Sequence, residues 1–143
     1  MNIKYIDHIV ITTQDLAQCL AFYEGVLGME HRERDGRHAL HFGNAKFNIH
    51  VQKGEFQPAA KHPTCGSLDL CLIADGSIDD IRRELEAKGA PIELGIVERT
   101  GARGAHRQHL SARPRRQSRG SQRVSTRMSG KKIKLFLFDL LTF

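Results

Sequence analysis

The sequence predicts an α+β fold: a βαβββ module followed by an incomplete second copy of itself. Two observations carry this reading. Short β-branched runs alternate with period two, and a stretch with helical spacing follows the first strand of each half. A third observation limits it, because the composition changes abruptly at Gly104 before the second copy is finished.

The first half reads in order. Ile6–Thr12 (IDHIVIT) alternates as a strand. Asp15 offers an N-cap to a helix whose apolar positions are Leu16, Cys19, Leu20, Tyr23 and Val26/Leu27, and Gly28 stops it. Met29–Arg34, Arg37–Phe42 and Ala45–Gln52 follow as strands, with Asp35-Gly36 and Gly43-Asn44 as tight turns between them. The segment Gly54–Gly66, carrying Pro58 and Pro63, links the halves.

The second half starts alike. Ser67–Ala74 is a strand, and Ser77 with Asp80 resembles a capping box ahead of the stripe Ile78, Ile81 and Leu85. Gly89 ends that helix, Pro91–Val97 is a further strand, and Glu98–Gly101 reads as a loop. The modules are then about 3–53 and 66–104, giving a body over 1–104 and a tail over 105–143.

Charge separates the two parts. Residues 1–104 hold 12 Lys/Arg against 15 Asp/Glu, while 105–143 hold 10 Lys/Arg against one acid, Asp139. The net +6 of the 143-residue chain therefore belongs to the tail. A basic arm for nucleic acid is disfavoured, since the tail has no aromatic residue before Phe136 and no groove-reading motif. The longest apolar stretch, Ile133–Leu141, is broken by Lys134 and Asp139 and falls well short of a membrane span. Three cysteines without a CxxC pair read as free thiols of a cytoplasmic protein.

Period-two alternation sorts side chains by face. Ile9 and Ile11 oppose His8, Val10 and Thr12. Phe47, Ile49 and Val51 oppose Asn48, His50 and Gln52, and Leu68, Leu70 and Leu72 oppose Asp69, Cys71 and Ile73. With the aliphatic faces under the helices, the other faces form a cup whose polar members include His8, His50 and Asp69. Two imidazoles and a carboxylate are a donor set for a divalent metal with open positions. A strand histidine or aspartate is also commonly a half-buried polar residue with no ligand. His31, His38, His41 and His62 read as solvated surface groups, and Arg99 as either a rim cation for an anionic group or a solvated loop residue. No phosphate loop, GxSxG or paired-Cys zinc signature is present.

The run Ile6-Asp7-His8-Ile9-Val10, then Phe22-Tyr23 and Val26-Leu27-Gly28-Met29, resembles the opening of the vicinal-oxygen-chelate superfamily of glyoxalases, extradiol dioxygenases and bleomycin resistance proteins. The likeness covers residues 3–104. Lys46–His50, Glu55–Pro58, Gly66–Asp69 and Arg99–Ala102 resemble its small glyoxalase-domain-containing subgroup. The resemblance implies paired modules around a divalent metal (Zn, Ni, Mn or Fe) held by His8, His50 and Asp69, where His is commoner at the third position. It also implies a homodimer and a small oxygen-chelating substrate, lined by Asn48, Gln52 and Arg99, under lyase, isomerase or dioxygenase chemistry. The alternative within it is a non-catalytic resistance-type binder. It names no catalytic residue here. The fourth ligand, a Glu after a segment like RDPDGN, is absent from the sequence.

The tail contains that segment in another frame. Codons for residues 105–121, read from their second base, can spell PIDSIYLRDPDGNLEV, with RDPDGN opposite Ala112–Gln117. The sequence reading therefore takes 105–143 as out of frame after a one-base slip near codon 104 or 105. It leaves two uses for Ile133–Phe143: pairing with the sheet edge that the lost strands leave open, or promoting aggregation.

Overall fold

The structure is a computed structural model that describes residues 1–90, 92–94, 98–102, 104–107, 109–112 and 133–138. The chain divides into two compact units between Leu68 and Asp69.

The first unit is a complete βαβββ module. Its sheet contains β1 (His8–Thr12), β2 (Glu30–Arg34), β3 (Arg37–Phe42) and β4 (Ala45–His50), in the order β1-β4-β3-β2. β1 runs parallel to β4 and the other pairs are antiparallel. The two tight turns explain the antiparallel pairs. Asp35 and Gly36 both take positive φ (54° and 73°), the backbone a two-residue hairpin demands, and Gly43 supplies it at the second turn (50°). β1 is fastened to β4 at both ends. Lys46 N–H donates to the Asp7 carbonyl (3.1 Å), and Thr13 N–H donates to the His50 carbonyl (2.9 Å).

Between β1 and β2 runs α1 (Leu16–Leu20), capped by the Asp15 carboxylate, which accepts from Gln18 N–H at 2.9 Å. The sequence predicts one α-helix continuing to Leu27. The structure instead widens into a π-helical segment over Ala21–Val26, where Leu27 N–H reaches back five residues to the Phe22 carbonyl (3.1 Å). The wider turn shifts the helical phase, so the consecutive residues Phe22 and Tyr23 are both buried. A strict 3.6-residue count leaves Phe22 off the apolar stripe. Tyr23 meets Phe22 and Phe47 edge-on at 5.2 and 5.8 Å, and Phe47 packs on Phe42 at 4.6 Å. With Ile11, Leu40 and Ile49, each at most 1% exposed, these rings form the core on one face of the sheet.

The second unit opens on β5 (Asp69–Ala74) and α2 (Ile78–Ala87). Ser77 Oγ accepts from Asp80 N–H (3.1 Å) and donates to the Asp80 carboxylate (2.5 Å), a capping box with Asp in place of Glu. Ile78 and Leu85 are buried, and Gly89 leaves the helix with φ +70°. β6 is described over Ile92–Leu94; Pro91 and 95–97 of the predicted strand Pro91–Val97 lie outside the described residues. The predicted loop Glu98–Gly101 is instead a strand, β7, paired antiparallel with β8 (Gly104–Arg107). A hairpin partner supplied from beyond Gly104 turns an isolated polar run into a strand.

The second sheet has the order β5-β10-β9-β6, with β9 at His109–Ala112 and β10 at Ile133–Phe138. In the first unit the strand beside β1 is β4, parallel to it. The strand beside β5 is β10, and it runs antiparallel, from Ile133 opposite Ala74 to Phe138 opposite Asp69. The apolar end of the tail thus fills the place of a fourth strand in the reverse direction. Residues 113–132 and 139–143 of the predicted tail lie outside the described residues.

Candidate functional site

The registers place the polar face of the first sheet in ranks across the strands. His8 stands opposite Lys46, which stands opposite His41, opposite Glu30. Val10, Asn48, Ala39 and Arg32 form the next rank, and Thr12 stands opposite His50 in the third. His8 and His50 are therefore on one face of adjacent strands, offset by four residues of β1.

Both line one cavity of about 430 Å³, together with Thr12, His62, Pro63 and Thr64. His62 borders it from the linker and is exposed, as the sequence predicts. His8 is half-exposed, and its Nδ1 lies 2.8 Å from the Asp7 carboxylate. That hydrogen bond holds the Asp7 carboxyl below the usual carboxylate range, assisted by the nearby His8 and Lys46 charges. An ionised carboxylate only accepts, so His8 Nδ1 is the donor in this bond, which in the neutral ring leaves the lone pair on Nε2. In the sequence Asp7 carries no assigned role, and its adjacency to a candidate ligand is the signal that points to this one.

His50 is 8% exposed and meets the Phe56 ring edge-on at 5.2 Å. Arg37 lies over the same ring, 4.1 Å from its centroid. Phe56 comes from the linker, where the Glu55 carboxylate accepts Val51 N–H at 2.7 Å and folds the chain back onto the sheet. A second cavity of about 600 Å³ adjoins this column and is lined by Phe56, Arg37, Asn48, His41, Lys46 and His50, among others.

The remaining sequence candidates fall as follows. Asn48 is half-buried and lines the larger cavity, on the predicted face. Gln52 does not reach it: β4 ends at His50, and Gln52 sits exposed in the turn, accepting Glu55 N–H through its carbonyl at 3.3 Å. Asp69 opens β5 of the second unit and is exposed with Cys71 and Ile73, while Leu70, Leu72 and Ala74 are less so, the predicted alternation. Arg99 is on β7, opposite His106, and its side chain lies outside what is described. Among the described residues no three His, Cys, Asp or Glu side chains assemble as a metal cluster. His31 and His38, predicted as solvated, instead stack at 5.3 Å and share a 3.1 Å hydrogen bond, because β2 and β3 bring them diagonally together.

An α+β chain with this βαβββ sheet and this histidine placement has the architecture of the glyoxalase class. The model of the Glyoxalase/Bleomycin resistance protein/Dioxygenase superfamily matches residues 5–110, and the chain belongs to that superfamily. It is 46% identical over 105 residues to Virulence protein STM3117 of Salmonella typhimurium, covering 73% of each chain. It is 40% identical over 105 residues to Glyoxalase domain-containing protein RDO1 of Mycosarcoma maydis, covering 73% of this chain and 59% of that one. Among solved structures, Virulence protein STM3117 superposes with a TM-score of 0.73 at 36% identity, over 96% of this chain and 99% of that chain. A lactoylglutathione lyase from Agrobacterium tumefaciens, at 17% identity and a TM-score of 0.57 over the whole of both chains, shares the fold. Among the described residues no helix is long and apolar enough to cross a membrane.

Proposed function

We propose that this protein is a metal-dependent enzyme of glyoxalase type acting on a small oxygen-chelating substrate. The observation that supports this best is the pair His8 and His50 lining one cavity, with Asp7 fixing the tautomer of His8. The donor chemistry fits a divalent ion of the zinc, nickel, manganese or iron group. Two neutral imidazoles suit such ions, and a carboxylate on the far ring nitrogen is the usual support for a metal-binding histidine. His8 and His50 would hold the ion. When bound, the metal supplies Lewis-acid polarisation of substrate oxygens.

The chain's own residues account for the rest. Asp7 keeps a proton on His8 Nδ1. Phe56 closes one side of His50 against water, and Thr13 pins the His50 backbone to the end of β1. Asn48 offers an amide to a substrate oxygen. A homodimer is part of this reading, through superfamily membership.

A second reading is favoured by the absence of a three-donor cluster among the described residues and by the composition of β10, which holds no His, Cys, Asp or Glu. It is a non-catalytic protein that binds a small molecule. Metal analysis of the purified protein beside His8→Ala and His50→Ala separates the two. Stoichiometric metal lost in both variants supports the enzyme. No metal in any of them, at micromolar supply, sinks it in favour of the binder.

A further inference from the structure

The polar face of the first sheet carries a charge pattern that the composition hides. Residues 1–68 hold seven Lys/Arg and seven Asp/Glu, a balanced unit. Their placement is not balanced. The registers put Arg32, Arg34, Arg37 and Lys46 on the polar face with His8, His41 and His50, while Glu30 is the only one of the seven acids on a strand position of that face. Glu30 is occupied by Arg32, which it holds with two hydrogen bonds of 2.7 and 2.8 Å. Glu33 and Asp35 also border the larger cavity. The first accepts Gly36 N–H at 2.8 Å, and the second lies 3.6 Å from Arg34. Among the described residues Lys46, Arg37 and His41 make no ion pair, and Lys46 and His41 are half-buried.

Arg32 and Arg34 have acid partners, but Lys46 and Arg37, outside any ion pair among the described residues, raise a positive potential on this wall that an incoming anion relieves. The same cavity has an apolar side, made by Phe56 and Ala39, and its volume of about 600 Å³ is that of a small-molecule site. We infer that this cavity binds the oxyanion group of a small organic acid. Lys46 and His41 face the charge, and the Phe56 ring, backed by Arg37, packs against the acid's apolar body. The inference deepens the enzyme reading by naming the charge of its substrate, and rests on that reading only for the adjoining metal.

The test uses the full chain stripped of metal with a chelator, so that its outcome is independent of the metal proposal. Benzoate, phenyl phosphate and inorganic phosphate are titrated by calorimetry at low and high salt. At least one aryl oxyanion is expected to bind with one-to-one stoichiometry and to weaken with salt. Lys46→Gln should weaken it at least tenfold, His41→Gln severalfold, and Lys53→Gln, in the exposed turn, should leave it unchanged. Tighter binding of benzoate assigns a carboxylate, and tighter binding of phenyl phosphate assigns a phosphate. Circular dichroism on each variant confirms that binding is compared between folded proteins. The inference is overturned if neither aryl oxyanion saturates, if inorganic phosphate binds as tightly as phenyl phosphate, or if Lys53→Gln weakens binding as much as Lys46→Gln. Loss of the metal in His8→Ala with this binding intact would leave both proposals standing. Absence of metal from the wild-type protein would remove only the first.

Discussion

The Asp7 carboxylate lies 2.8 Å from His8 Nδ1, so the residue before the first candidate ligand decides which nitrogen of that ligand is free. Asp7→Asn keeps the shape but removes the acceptor-only partner. Metal affinity is expected to fall about 10–100-fold, the usual cost of losing such a support. Competition titration against a metal-binding dye measures it, and an unchanged affinity would show that Asp7 is ordinary surface.

The depression of the Asp7 carboxyl also has a sign. A group whose folded value lies below its unfolded one contributes stability above the unfolded value, near 3.8, and loses it as pH falls through the lower folded value. Asp7→Asn should therefore be less stable than wild type at neutral pH and converge with it in acid, flattening the acid limb of a urea-melt series below about pH 4. A variant that steepens the limb would contradict the assignment.

Phe56 touches two polar partners from a linker position. Phe56→Ala removes the edge contact to His50 and the ring beneath Arg37, at a cost of about 1–2 kcal/mol from those contacts together. Thermal melting reads the loss. Leu40→Ala, in the fully buried core between the helix and the first sheet, should cost about 2–5 kcal/mol by comparison. If the two costs came out equal, Phe56 would be a core residue.

Ser77→Ala should destabilise the second unit by about 1 kcal/mol, since it uncovers the Asp80 N–H at the start of α2. The Ser77 hydroxyl, followed by Arg83, is what holds the Asp80 carboxyl below its usual range. The carboxylate part of that contribution is present above about pH 4 and fades as pH falls below it, so the gap between Ser77→Ala and wild type should narrow in acid to the share of the cap bond to Asp80 N–H. Chemical melts at pH 7 and pH 3 compare them.

The reversed strand β10 yields the last prediction. Sequencing of codons 100–120 should show a series that spells the shifted segment after a one-base change; codons incompatible with it would remove the proposal. A frame-restored chain should bind metal more tightly than the present one, because a strand carrying a glutamate would replace Ile133–Phe138 beside β5.

Local chemistry made much of this legible. The Asp35-Gly36 turn, the Ser77 cap and the stops at Gly28 and Gly89 follow from backbone demands that few residues meet, and each lies where the sequence puts it. The face shared by His8, Asn48 and His50 follows from period two. Gln52 was lost because alternation cannot say where a strand ends; here the Glu55 carboxylate captures Val51 N–H and bends the chain first.

By itself, the sequence determined the α+β class, the order of the first module and the shared face of His8 and His50, because periodicity and turn chemistry are encoded between near neighbours. Tertiary structure decided what depends on distant pairing. It set the π-helical widening that buries both Phe22 and Tyr23, and it returned Phe56 onto His50. It also set the direction of β10 and gathered four cations onto one face of a neutral unit. The direction of β10 rests on pairing with a strand far along the chain, and the widening and the return of Phe56 rest on what packs against them, so no local pattern in the chain specifies these.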